Sequence, residues 1–117
     1  MANQRRMHRV AERIREVLAI ELLHANDERF QLVSITRVMI TADLREAKVY
    51  WNVSGSSNRR IEVENAFEKA KGYFRSSLSK KLDIKHTPSL TFFYDDTLDT
   101  VEEVDRLLAE VRTRELE

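Results

Sequence analysis

The residues whose chemistry stands out are basic side chains grouped in one stretch of the chain. From Lys69 to His86 the only acidic residue is Asp83. Because each phosphate that Lys or Arg neutralises releases counterions, such a stretch is typical of a surface that binds a nucleic-acid backbone. A solvated helix face would carry the same charges, so the charge pattern alone leaves both interpretations open. The basic residues of this region are Arg59, Arg60, Lys69, Lys71, Arg75, Lys80, Lys81 and Lys85.

A glycine, Gly72, interrupts the helical pattern in the middle of this basic stretch. In a helix interior, glycine costs about 1 kcal/mol relative to alanine, so its presence needs a reason. We expect either a kink between two helices or a close approach of the backbone to a partner. A missing side chain lets a ribose-phosphate chain pack against the backbone, which favours RNA binding over a merely solvated face.

The charge balance of the whole chain does not argue against a polyanionic partner. The 117 residues include 20 Lys or Arg and 20 Asp or Glu, a formal net charge of zero. Residues 1–89 carry 17 basic against 11 acidic side chains, whereas residues 90–117 carry 3 against 9. Since charges are screened beyond roughly 8–10 Å at physiological salt, RNA would respond to the basic part locally.

The residue types give little support to disulfides, metal sites, catalytic motifs or membrane segments. The chain has no cysteine, which excludes disulfides and thiolate metal ligands and fits a reducing compartment. His8, His24 and His86 lack metal-ligand spacing, and no Ser/His/Asp or phosphate-loop pattern is present. No apolar run is long enough for a membrane span or a signal peptide. We therefore expect a cytoplasmic, monomeric binding protein that is not an enzyme and uses no cofactor, metal ion, membrane or small-molecule substrate.

Apolar periodicity divides the chain into helices and strands that would position these residues. This pattern predicts a helix at about Arg5–Leu23, strands at Leu32–Thr41 and Ala47–Val53, a helical segment at Arg59–Leu82 interrupted at Gly72, a strand at Ser89–Asp95 and an acidic helix at about 99–115. The order predicts an α+β fold with a three-stranded mixed sheet and helices on one face. At this length we expect a single domain spanning residues 1–117, with its core in 5–96 and the first strand in the middle of the sheet.

The first strand is predicted to be irregular. Its apolar phase changes between Ile35 and Val38, which indicates a β-bulge near Thr36 or Arg37.

The aromatic residues of the other strands divide between the two sheet faces. We expect Trp51 in the core and Tyr50 on the opposite face, because side chains alternate along a strand. Phe92 and Phe93 likewise point to opposite faces. One must meet the helices, and the other is expected to pack under the last helix, with stacking on a base as the alternative.

The acidic last helix also has an apolar stripe, formed by Val101, Val104, Leu107, Leu108 and Val111. We expect this stripe to be buried against the sheet or the first helix. The alternative is a loosely held helix that folds over the basic surface and competes with RNA.

Two segments resemble the ribosome-binding factor A family. The run Glu64–Leu78, with Ala70-Lys71-Gly72 inside it, resembles the second and third helices of that family. There an Ala-x-Gly kink stands where ordinary KH domains carry a Gly-x-x-Gly loop. The run Pro88–Asp95, which reads Pro-Ser-Leu-Thr-Phe-Phe-Tyr-Asp, is similar to the family's last strand. With shorter similarities at 9–12 and 43–50, the resemblance spans roughly Val10 to Asp96.

This resemblance implies a type II KH-like domain, in the order α-β-β-α-(kink)-α-β-α. It also implies an assembly factor that binds the immature small ribosomal subunit and its precursor RNA. Charge pattern and resemblance together predict RNA-binding residues at Lys69, Ala70, Lys71, Gly72, Arg75, Lys80, Lys81 and Lys85, with Arg9 and Arg13 at the margin. The alternatives are a KH-type binder of another structured RNA and a protein-interaction adaptor that uses the acidic last helix.

Overall fold

A computed structural model describes residues 3–116 of the chain. Within this range the elements are α1 (Gln4–His24), a 3-10 helix (Glu28–Phe30), β1 (Val33–Ile40), β2 (Glu46–Val53), α2 (Ser57–Lys81), β3 (Ser89–Tyr94) and α3 (Thr97–Leu116). Three α-helices and a three-stranded mixed sheet confirm the α+β fold class. No helix in this part of the chain combines the length and apolar character that a membrane span requires.

The sheet has the order β1-β2-β3, so the prediction that the first strand lies in the middle is wrong. β1 and β2 form an antiparallel hairpin, and β2 pairs with β3 in parallel. The physical reason is the connection through α2. A helical crossover places the strands that it joins side by side in parallel, which leaves the hairpin partner β1 at an edge.

The predicted β-bulge in β1 is confirmed by its pairing with β2. Ile35 pairs with Trp51 and Arg37 with Tyr50, so Thr36 is the extra residue. Because of this insertion, Ile35, Val38 and Ile40 all reach the core, although their spacing changes along the strand.

One face of the sheet is covered by α1 and α2, and the core lies between these helices and the sheet. Phe67 of α2 lies at its centre, 4.5 Å from Phe92 of β3 between ring centroids and 5.3 Å from Trp51 of β2. Trp51 is therefore a core residue, as predicted, and Phe92 is the β3 aromatic that meets the helices. Phe30 and Phe74 complete the aromatic cluster.

The helical segment predicted to be a pair of helices is a single hydrogen-bonded helix. α2 begins after Ser56, whose side chain accepts from the amide of Arg59. It continues through Gly72 to Lys81. An added Cβ at Gly72 would meet no other atom within 4 Å, so internal packing does not require a glycine there.

The prediction that the last helix buries its apolar stripe is wrong. No residue of α3 is buried, and the five stripe residues are between 46% and 52% exposed. Phe93 is exposed as well, so it does not pack under this helix. The reason is that α1 and α2 already occupy the apolar face of the sheet when the chain leaves β3.

Candidate nucleic-acid interface

The exposed side of α2 presents Gly72, Arg75, Ser76 and Ser79, whose spacing of three and four residues places them on one helix face. The opposite side carries buried residues such as Phe74 and is held in the core. Packing of that apolar side thus determines which residues α2 presents to solvent.

The segment that follows α2 closes a shallow groove against this face. Arg75 donates a hydrogen bond to the carbonyl oxygen of Thr87 at 3.2 Å, which ties the helix to the segment before β3. The groove has a volume of about 490 Å³ and is lined by Gly72, Arg75, Ser76, Ser79, Lys85, His86 and Thr87. None of these seven residues is acidic. We call this set the α2 groove.

Two further concavities share residues with the α2 groove and extend it towards the β1–β2 turn. One, of about 510 Å³, is lined by Arg75 and His86 together with Arg45. The other, of about 340 Å³, is lined by Lys85 and His86 together with Arg6 and Arg45. Basic side chains from α1, the β1–β2 turn, α2 and the segment after α2 therefore meet around His86.

A local hydrogen-bond network shapes the turn that supplies Arg45. The carboxylate of Asp43 accepts from the Thr41 hydroxyl at 2.6 Å and from the Arg45 amide at 3.1 Å. These bonds hold the pKa of Asp43 below its ordinary value. Leu44 has a φ of 59°, which completes the tight turn. Asp43 and Glu46 also line the outer concavity, so its charge is mixed there.

The predicted site residues are only partly brought together. Gly72, Arg75 and Lys85 line the α2 groove, and Lys69 and Lys80 are exposed elsewhere on the same helix. The remaining predictions on α2 have other surroundings: Lys71 forms an ion pair with Glu68 at 3.2 Å, and Ala70 packs partly buried against the core.

Lys81 contacts α1 rather than the groove. Its amino group lies 2.7 Å from the carboxylate of Glu21, a residue that is only 6% exposed. The hydroxyl of Tyr73 donates to the same carboxylate at 2.8 Å. Hydrogen bonds from Lys81 and then Tyr73 hold the pKa of Glu21 below its ordinary value. This arrangement gives Lys81 a structural partner inside the protein.

The predicted marginal residues on α1 are exposed. Arg13 pairs with Glu16 at 3.4 Å, whereas Arg9 makes no ion pair within residues 3–116. Sequence reasoning missed Arg6, Arg45 and His86 as neighbours of the α2 groove. The similarity noted at 43–50 covers Arg45, but only the fold shows that this turn lies beside Arg75 and the segment after α2.

Comparison with known proteins identifies the family. The model of the family described as ribosome-binding factor A matches residues 6–108. This chain belongs to the ribosome-binding factor A family. The match covers the chain from α1 into α3, including every residue of the α2 groove, and it confirms the resemblance based on the segments around Gly72 and Phe92.

Individual relatives agree with this assignment. A ribosome-binding factor A from Salinispora tropica is 39% identical over 118 residues, which cover 100% of this chain and 76% of that protein. The crystal structure of ribosome-binding factor A from Thermus thermophilus matches with a TM-score of 0.68 at 18% identity. That match covers 75% of this chain and 93% of the Thermus chain. The structural match supports the type II KH-like fold.

A second structural match comes from a fitted assembly. A homology model of the Thermus thermophilus ribosome-binding factor A, placed in a cryo-electron-microscopy map of its 30S complex, has a TM-score of 0.59 at 18% identity. The match covers 73% of this chain and 90% of that one.

Proposed function

We propose that this member of the ribosome-binding factor A family binds the immature small ribosomal subunit and contacts its precursor RNA through the α2 groove. Family membership supports a ribosome-binding role, and the Thermus relative has been fitted as part of a 30S complex. The protein acts by binding, as a cytoplasmic monomer without a cofactor or a catalytic step.

The observation that carries this proposal is the chemistry of the α2 groove. Arg75 and Lys85 supply positive charge, Ser76 and Ser79 supply hydroxyl groups, and no acidic side chain lines the groove. Such groups bind phosphate and ribose oxygens, which position a protein on RNA without reading base edges. The groove therefore favours recognition of a folded RNA backbone by charge and shape.

Gly72 fits the same interpretation. Its Cβ position is open, so the protein itself gains no packing from the absence of a side chain. A glycine in a helix interior still costs about 1 kcal/mol relative to alanine. We infer that the bare backbone at Gly72 serves an approaching RNA strand rather than the fold.

The test uses two substitutions at this residue. Gly72→Glu adds bulk and negative charge in the groove and should abolish binding to immature small subunits, while the domain remains folded. Gly72→Ala is the matched control for folding, because its methyl group meets no atom of the protein and alanine favours the helix, and it should weaken binding less than Gly72→Glu. Co-sedimentation with immature subunits and affinity for a structured RNA measure both variants. Unchanged binding by a folded Gly72→Glu variant would contradict the groove assignment.

The same assay separates the alternatives. A KH-type binder of another structured RNA would bind RNA without co-sedimenting with immature subunits. A protein-interaction adaptor is favoured by one observation, the exposed apolar stripe of α3. Its binding to a target would survive RNase treatment and would be lost when the stripe is made polar, for example by Leu108→Ser.

A further inference from the structure

We propose that the sheet face turned away from α1 and α2 is a second RNA surface, which takes unpaired bases by stacking. We call it the open sheet face, and its residues are Arg37, Met39, Lys48, Tyr50, Thr91 and Phe93. The inference rests on the proposed function only for the class of partner, since its residues are distinct from those of the α2 groove.

Strand pairing arranges these residues in two rows that cross all three strands. Arg37 pairs with Tyr50 and Tyr50 with Phe93, which forms the first row. The second row is formed in the same way by Met39, Lys48 and Thr91. Because two residues separate the rows along each strand, they lie roughly 6.6 Å apart on one face.

The bulge at Thr36 is what places an arginine in the first row. In a regular strand Arg37 would share the orientation of Ile35 and point into the core. The extra residue reverses this orientation, so that Arg37 is exposed beside Tyr50 while Val38 is buried. Bulges often redirect a side chain at a functional surface.

The first row has the geometry of a stacking platform. The rings of Tyr50 and Phe93 are stacked, with centroids 5.5 Å apart and planes at 28°. The guanidinium carbon of Arg37 lies 4.4 Å from the centre of the Tyr50 ring. Phe93, on the edge strand β3, is 39% exposed and is available to a planar ligand. A cross-strand pair alone would stabilise the sheet, but it would not require an arginine redirected by a bulge.

Charge on this face complements a strand of nucleotides. Arg37 and Lys48 lie in the two rows, next to the rings. The acidic groups lie at the ends: Glu46 at the start of β2, and Asp95 after β3. The Asp95 carboxylate accepts from the Thr36 hydroxyl at 2.5 Å and from the Thr97 amide at 3.0 Å, so each of its two oxygens has a partner within the domain. Aromatic rings interleaved with cations are the pattern that binds unpaired RNA.

No other part of residues 3–116 covers this face. α3 leaves the end of β3 with all of its residues exposed, and Met39 and Phe93 are both exposed on the sheet. The face is therefore accessible while the α2 groove on the other side of the domain is engaged. One protein could then hold a folded RNA element and an adjacent unpaired segment together.

The test compares two probes, a labelled adenosine hexamer and an RNA hairpin whose stem of 12 base pairs is closed by a non-nucleotide linker, so that it has no unpaired bases. Phe93→Ala should weaken binding of the hexamer by about tenfold, as expected for removing one stacking ring, and leave hairpin binding unchanged. Phe93→Tyr is the matched control and should bind both probes normally. Lys48→Ala, an exposed substitution, should also weaken hexamer binding and reduce its salt dependence.

The outcomes separate this inference from the proposed function. Gly72→Glu should lose the hairpin and keep the hexamer, the reverse of Phe93→Ala. A wild-type protein that binds the hairpin but not the hexamer would overturn the inference alone. Hexamer binding by Phe93→Ala and Lys48→Ala with the affinity of the wild-type protein would overturn it too. Self-association that Phe93→Ala abolishes would assign the face to a second copy of the chain instead of RNA. Failure to bind either probe would count against both proposals.

Discussion

α1 and α3 are both amphipathic helices with an apolar stripe at helical spacing, but only α1 buries its stripe. α1 buries Ile14, Val17 and Leu18 almost completely, whereas the five stripe residues of α3 remain about half exposed. The two helices differ in position along the chain more than in pattern. α1 and α2 fill the apolar side of a three-stranded sheet, and α3 follows after that side is full. An apolar stripe thus predicts a helix, but the space left on the core decides whether the stripe is buried.

The largest expected effect comes from making the same substitution in both helices. Leu18→Ala in α1 should lower the free energy of unfolding by about 2–5 kcal/mol, because it leaves a cavity in a close-packed core. Leu108→Ala in α3 should change it by about 0.5 kcal/mol or less, since the residue contacts little in the folded chain. Urea unfolding at pH 7 measures both. Similar losses in the two variants would mean that α3 is packed in solution.

A smaller effect is expected from the ion pair between Lys81 and Glu21, which links α2 to α1. Lys81→Met should cost about 1 kcal/mol at pH 7, because Glu21 loses its charged partner although Tyr73 still donates. Lys80→Met is the control, since Lys80 is an exposed neighbour that forms no ion pair within residues 3–116.

The same ion pair predicts how the stability difference between wild type and Lys81→Met changes with pH. The pKa of Glu21 is lowered in the folded protein, so its contribution to stability is present above the ordinary Glu pKa of about 4.3. That contribution is lost as pH falls through the lowered pKa. The difference between wild type and Lys81→Met should therefore shrink in urea unfolding at pH 3. A constant difference at both pH values would contradict the ion-pair explanation.

The smallest effect is expected from removing α3 altogether. Truncation after Asp96 should lower the free energy of unfolding by about 1 kcal/mol or less, because the main loss is the hydrogen bond between Tyr94 and Asp99. Thermal unfolding of the truncated and full chains provides the measurement. A fall in melting temperature of more than about 10 °C, well beyond what a loss of 1 kcal/mol produces in a domain of this size, would show that the stripe of α3 has a partner within the domain.

The residues of the α2 groove and its surroundings could be predicted from the sequence only in part. The basic stretch around Gly72 could be predicted because it is local, and Gly72, Arg75 and Lys85 do line one groove. Arg6 and Arg45 could not, because they come from elements far away in sequence. Lys81 looked like its neighbours, and only the packing of α1 against α2 shows that its amino group meets Glu21.

Local spacing determined the elements themselves, the burial of Trp51, the bulge beside Arg37 and the family. These depend on the side-chain period of a helix or strand and on residue identity, which are properties of the sequence alone. The tertiary structure decided that β2 is central, that α3 buries none of its residues and that the rings of Tyr50 and Phe93 stack on an exposed face. Those outcomes depend on which elements cover the core face of the sheet and how much of it they occupy. The spacing of apolar residues and the composition do not determine which elements cover the limited apolar face of the sheet.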